Sequence, residues 1–225
     1  MIKTIQIKDL KCVLVTADRT DKVTYMIYPE IAGFTDELLT SFSQKYDTAI
    51  VMVYVPAQQW NNYLTPWAEP GEAKGFPPFA GEARMFLQIL TDEIVPEAEN
   101  EMGIDKNAVR NLIGVSLSGL FTLWQWLQCD TFNSIACLSG SFWYAGFMDW
   151  FNDLSLRPKQ GKAFFLLGRQ EPHAQIVAYR PVGANTQAVV SRLEKAGYVV
   201  SFEWVQGNHF ADPVGRAEMA FIHIS

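Results

Sequence analysis

Cysteine and histidine are scarce in this chain of 225 residues, with three of each. Cys12, Cys129 and Cys137 form an odd set with no Cys-x-x-Cys pair, and each sits in or beside an apolar segment. That excludes a disulfide framework and predicts buried free thiols in a cytoplasmic protein. His173, His209 and His223 lack metal-ligand spacing, so neither a zinc site nor any other cofactor is expected. Basic runs are missing too. The 18 Lys and Arg are scattered against 24 Asp and Glu, for a net charge of −6, which argues against a nucleic-acid or anionic-membrane partner. No stretch approaches the ~20 apolar residues of a membrane span. The opening Met-Ile-Lys-Thr-Ile-Gln-Ile-Lys lacks the apolar core of a signal peptide. With no repeat, low-complexity tract or linker, residues 1–225 read as one domain.

What is present is a large apolar complement, 49% of the chain with fifteen Phe and seven Trp, enough for a sheet covered on both faces. Strand-like and helix-like segments alternate. Lys22 to Tyr28, Thr48 to Val55, Val109 to Ile113, Ser134 to Leu138, Lys162 to Leu167 and Tyr198 to Val205 read as strands. Helices are predicted at Asp36–Lys45 behind a Thr35 cap, at Ala80–Glu101 with a bend at Pro96, and from Ser116 to about Gln128. Further helices are predicted at Ala145–Asn152, Asn185–Ala196 (stopped by Gly197) and Pro213–Phe221. Ile2–Ile7 and Lys11–Ala17 can add antiparallel strands. This alternation implies an α/β fold with a mostly parallel sheet between helices.

The segment Gly114-Val115-Ser116-Leu117-Ser118-Gly119 falls where a strand gives way to a helix, whose stripe is Leu117, Leu120, Phe121, Trp124 and Leu127. A serine at such a corner, among small residues, reads as a nucleophile elbow. The turn holds the serine Oγ clear of the backbone, and the helix start offers amide donors to a developing oxyanion. Ser118 stands where the motif has its second glycine, and Gly119 follows one place later.

A serine hydroxyl needs a base. His209, in the turn Gln206-Gly207-Asn208-His209-Phe210, lies at the carboxyl end of the last strand, the edge where parallel sheets put their sites. His223, near the end of the last helix, reads as a surface residue. The acid should fall between Ser116 and His209 in chain order. Glu171, after strand Lys162–Leu167, leads, against the alternative that it is a solvated partner of Arg169. Asp153 and Asp212 are the fallback candidates.

Five stretches in order, Tyr63-Leu-Thr-Pro-Trp67, Gly114 to Trp124, Leu138-Ser-Gly-Ser-Phe-Trp-Tyr144, Gly168-Arg-Gln-Glu171 and Gly207-Asn-His-Phe210, resemble the esterase family of the α/β-hydrolase superfamily. This is the branch with siderophore trilactone esterases and small carboxylesterases. The resemblance implies an α/β-hydrolase fold, Ser116 as nucleophile, His209 as general base and acid, and Glu171 as the acid that orients it. It also implies the Leu117 N–H as half of the oxyanion hole, with the other half from the loop Tyr28-Pro29-Glu30-Ile31 through Glu30. Pro29 has no N–H to give, and Val115 stands where the family usually has His.

The stretch Pro56 to Gly81 is rich in Pro, Gly and aromatics and is read as a loop without regular structure, forming a lip over the site. A second aromatic cluster runs from Phe142 to Phe151. Tyr63, Trp67 and Trp143 are the rings expected to contact a small-molecule ester substrate. The rival readings are a binding or regulatory protein that keeps the fold without catalysis, and thioesterase or peptidase chemistry on the same scaffold. The scattered Arg84, Arg110, Arg169 and Arg180 do not build a basic pocket.

Overall fold

The computed structural model describes residues 1–224. Eight strands form one sheet: β1 (Ile2–Ile7), β2 (Leu10–Val15), β3 (Lys22–Pro29), β4 (Ala49–Val55), β5 (Val109–Val115), β6 (Ser134–Leu138), β7 (Lys162–Gly168) and β8 (Val199–Val205). Their order across the sheet is β1-β2-β4-β3-β5-β6-β7-β8. β1 and β2 are antiparallel to each other, and β2 is antiparallel to β4. From β4 to β8 every neighbouring pair is parallel. The chain runs from β3 outward to β4 and returns to β5 on the other side of β3. That reversal creates a crevice at the carboxyl ends of β3 and β5, where open α/β sheets take their ligands.

The helices are α1 (Asp36–Tyr46), α2 (Ala57–Tyr63), α3 (Ala83–Gln88), α4 (Val95–Met102), α5 (Leu117–Trp126), α6 (Phe147–Asp153), α7 (Val182–Lys195) and α8 (Pro213–Ile224). The side-chain period of two splits β3 between two cores. Val23, Tyr25 and Ile27 join the core with Phe86, Leu120, Trp126 and Leu193, while Met26 and Tyr28 join the one with Leu39, Phe42 and Phe221. α1 and α8 therefore cover one face, and α3, α5 and α7 pack on the other. The doubly covered sheet is the α/β architecture that the alternation predicts.

Two local expectations change. The Pro56–Gly81 segment is not free of regular structure, because its first part forms α2, and the rest carries only a single bridge between Glu69 and Phe79. The predicted helix Ala80–Glu101 is split into α3 and α4 by one π-helical stretch, Ile89–Ile94, in which the Val95 N–H reaches the Leu90 carbonyl. Pro96 has no N–H to donate, and the wider turn before it accommodates its ring within the rod.

The crossing of α5 over β5 is set by glycine. A Cβ on Gly114 would lie 2.3 Å from the Ser118 carbonyl oxygen and 2.4 Å from Thr122 Oγ1. Gly119 approaches the Cα of Gly140, which a Cβ would meet at 3.0 Å. The small residues that this turn requires are thus 114 and 119, and position 118 is free to carry a hydroxyl. Its Oγ accepts from the Val115 N–H at 2.7 Å and lies 2.7 Å from the Ile27 carbonyl, tying the start of α5 to β3. Gly114→Ala is expected to lower the unfolding free energy by at least about 2 kcal/mol in urea titration. A loss below about 0.5 kcal/mol would contradict the close approach.

Candidate active site

Ser116 occupies the residue between β5 and α5 with φ 58° and ψ −122°, a left-handed conformation that is costly for a residue with a Cβ. Three backbone bonds hold it there. Its N–H donates to the Leu138 carbonyl at 3.0 Å, and its own carbonyl accepts from the N–H groups of Leu120 at 3.1 Å and Ser141 at 3.0 Å. The end of β6 and the turn after it thus clamp the corner. Ser116 is half-buried and lines a cavity of about 880 Å³.

Position 209 follows β8, and its imidazole bridges two of the expected partners. His209 Nε2 lies 3.0 Å from Ser116 Oγ, and Nδ1 lies 2.8 Å from Glu171 Oε2. An ionised carboxylate only accepts, so Nδ1 carries the proton and Nε2 is left to accept from the serine hydroxyl. The ring is 29% exposed on the cavity side, open enough to meet a substrate.

Glu171 begins a single 3-10 turn, Glu171–His173, just past β7 and is buried. Its Oε1 accepts from Ser139 Oγ at 2.6 Å, from the Gly168 N–H at 2.7 Å and from Arg216 Nη1 at 3.2 Å. Burial pushes the carboxyl up, but the hydrogen bond and charge of His209 and the donors from Ser139 and Gly168 outweigh it and hold it below the usual range. Glycine at 168 is obligatory, since a Cβ would lie 2.6 Å from the Gly207 carbonyl and 2.9 Å from Glu171 Oε1.

Arg216 and Ser139 were not singled out in the sequence. Arg216, on α8 and 4% exposed, also donates to Ser139 Oγ at 2.6 Å and to the Asn208 carbonyl at 2.7 Å. One guanidinium therefore ties the Glu171 turn to the turn that carries His209. The signal for it was its place on the buried stripe of α8, with Ala217, Ala220, Phe221 and Ile224. Ser139 follows β6 at φ 49°, which aims its hydroxyl at the carboxylate and has no sequence signature of its own.

The other expected residues divide. Leu117 opens α5 and lines the cavity next to Ser116. Trp143 lines it as well, with its ring 4.4 Å from that of Tyr179. Tyr63 and Trp67 do not border it. Tyr63 is buried against Phe86, with its hydroxyl on Asp9, and Trp67 packs on Tyr144 and Trp150 with Nε1 donating to the Ala145 carbonyl. Their area is spent on fastening the lip to the body. Glu30 does not border the cavity either. Its turn, Glu30–Ala32, leaves the sheet with Glu30 and Ile31 exposed. Glu171 pairs with Arg216 and not with Arg169. Asp212 accepts from the Gly215 N–H at the start of α8. Among the described residues, no group of three or more His, Cys, Asp or Glu could hold a metal ion, and no helix is long and apolar enough to cross a membrane.

The arrangement suits removal of a proton from Ser116 Oγ with the resulting imidazolium facing a carboxylate. Because the folded Glu171 carboxyl is held below its ordinary 4.5, its stabilising contribution is complete above about that pH and is lost as pH falls through the lowered value. Glu171→Gln is accordingly expected to destabilise the protein by about 3 kcal/mol at pH 7. The gap from wild type should narrow as acid denaturation is followed below pH ~4. A gap that stays constant with pH would contradict this.

Residues 30–195 match a family model described as "Putative esterase". YbbA of Bacillus subtilis (strain 168), described as an uncharacterized protein, is 26% identical over 165 residues, 72% of this chain and 66% of that one. The chain thus matches just under two thirds of the length of that curated relative. Among solved structures, an IroE-like serine hydrolase from Shewanella oneidensis superposes with a TM-score of 0.77 at 16% identity, covering 98% of this chain and 78% of that one. The siderophore hydrolase EstA from Aspergillus nidulans gives 0.73 at 15% identity, covering 99% and 92%. The BES protein from Bacillus cereus gives 0.73 at 17% identity, covering 100% and 95%. At such identities these structures speak to the fold, which is the α/β-hydrolase fold, and the family model spans most of the chain: the protein belongs to the putative esterase family.

Proposed function

We propose that the protein is a serine esterase that hydrolyses a small carboxylic ester through an acyl-enzyme on Ser116. The observation that carries this is the continuous line from Ser116 Oγ to His209 Nε2 at 3.0 Å and from His209 Nδ1 to Glu171 Oε2 at 2.8 Å. In the first half-reaction the Oγ attacks the ester carbonyl while His209 Nε2 takes its proton. The tetrahedral oxyanion forms beside the start of α5, where the Leu117 N–H is the proposed donor. The imidazolium then gives its proton to the departing alcohol, leaving the acyl group on Ser116. Water, deprotonated by the same nitrogen, attacks the acyl carbonyl, and the acid leaves with Oγ reprotonated.

Glu171 stays ionised throughout, holding the productive tautomer and offsetting the imidazolium charge. A cavity of about 880 Å³ with largely aromatic and aliphatic walls supports a small-molecule substrate. All three cysteines are free, which supports a reducing, cytoplasmic setting. One sheet that runs through residues 2–205 supports reading the chain as one domain. The rival reading, a binding protein on the same fold, is favoured by one observation: in the turn after β3, Pro29 has no N–H to donate, and Glu30 is exposed and off the cavity lining. Turnover decides between them. The purified protein is expected to hydrolyse p-nitrophenyl butyrate, with kcat falling by about 10³-fold or more in Ser116→Ala and to a similar extent in His209→Ala. A wild-type rate no greater than that of Ser116→Ala would establish the binding reading instead.

A further inference from the structure

We propose that this cavity selects esters that carry a cationic nitrogen, and that Glu72 is the residue that reads the charge. The inference rests on the esterase reading of the same cavity and adds the chemistry of its substrate. Among the described residues that line the cavity there is no Lys or Arg, and the carboxylates are Glu171 and Glu72. Glu171 is fully committed to His209, Ser139, Gly168 and Arg216. Glu72 is not. Its Oε1 accepts from the Tyr179 hydroxyl at 3.1 Å, while its Oε2 is shut off from solvent and has no hydrogen-bond partner among the described residues.

Glu72 lines the cavity, and its Oε1, which takes one hydrogen bond from Tyr179, has a second acceptor site for a charged donor. The surrounding walls favour the same ligand. Trp60, Phe76, Trp143 and Tyr179 line the cavity with Glu72, and aromatic faces attract cations. An anionic arm would meet the Glu72 carboxylate and π-faces with no Lys or Arg among the described lining residues, whose other carboxylates and imidazoles are Glu171, His173 and His209. Burial and the neighbouring Glu72 push the Tyr179 phenol up to about 12, so Tyr179 remains a donor.

The competing account is that Glu72 is only a latch. It sits on the lip that follows α2, Tyr179 sits in the 3-10 turn Val177–Tyr179 on the opposite side, and their bond joins the two. Glu72→Gln separates the two roles, because the amide oxygen can still accept from Tyr179 while the charge is gone. Tyr179→Phe does the reverse.

The test compares kcat/KM for p-nitrophenyl 6-aminohexanoate, its neutral isostere p-nitrophenyl heptanoate, and mono-p-nitrophenyl pimelate. The amino ester is expected to exceed heptanoate by about tenfold or more, with pimelate the poorest. The amino-to-heptanoate ratio should collapse toward unity in Glu72→Gln and persist in Tyr179→Phe. A wild-type ratio of one or less, or a ratio unchanged in Glu72→Gln, overturns the proposal. Calorimetric titration of Ser116→Ala protein with hexylammonium chloride and with sodium hexanoate reads the same preference without turnover. Hexylammonium is expected to bind about tenfold tighter or more, with the difference lost once Glu72→Gln is added. Equal affinities overturn the inference. If none of the three esters is hydrolysed while the ammonium preference holds, the esterase reading falls and the cation site stands.

Discussion

A carboxylate taken out of water at the edge of a sheet persists only where donors surround it, and Glu171 collects them from four separate parts of the fold. Ser139 arrives from the end of β6, the Gly168 N–H from the end of β7, His209 from the turn after β8, and Arg216 from α8. Each depends on parallel strands ending at one edge, so the register of the sheet and the solvation of this one group are the same problem. Arg216 then joins the Glu171 turn to the Asn208 carbonyl, which fixes the loop that carries the imidazole. A serine two strands away thereby has an imidazole nitrogen at hydrogen-bond distance.

The second constraint is the strained corner at Ser116. A left-handed serine is held by bonds to Leu138, Leu120 and Ser141, and it fits under α5 only because 114 and 119 are glycine. Ser118 converts an apparent defect of the motif into a fastening. Its hydroxyl is fully buried and satisfied by the Val115 N–H and the backbone of β3, so the start of α5 is pinned to the strand beside it. The departure from the usual pattern costs the corner nothing in packing.

Much of this was legible in the sequence, and the limits have physical causes. Ser116, His209 and Glu171 could be placed because each follows a strand with a plain apolar pattern, and parallel strands send such residues to one edge. Ser139 and Arg216 could not, since their roles come from contacts between elements far apart in sequence. The rings at 63 and 67 misled because aromatic content marks burial as readily as binding; both fasten the lip, while Trp60 and Tyr179 face the cavity. Glu30 followed from the family resemblance alone, whereas the 3-10 turn after Pro29 leaves Glu30 exposed and off the cavity lining.

The central claim is that His209, held by Glu171, makes the Ser116 hydroxyl nucleophilic. Incubation with a fluorophosphonate followed by peptide mass spectrometry tests it most directly, because the reagent phosphonylates only an activated serine. The account predicts a single adduct on the peptide that contains Ser116, absent from His209→Ala protein that is folded by circular dichroism. Well-folded wild-type protein that takes up no label, or an adduct at Ser116 that survives the loss of His209, would contradict it.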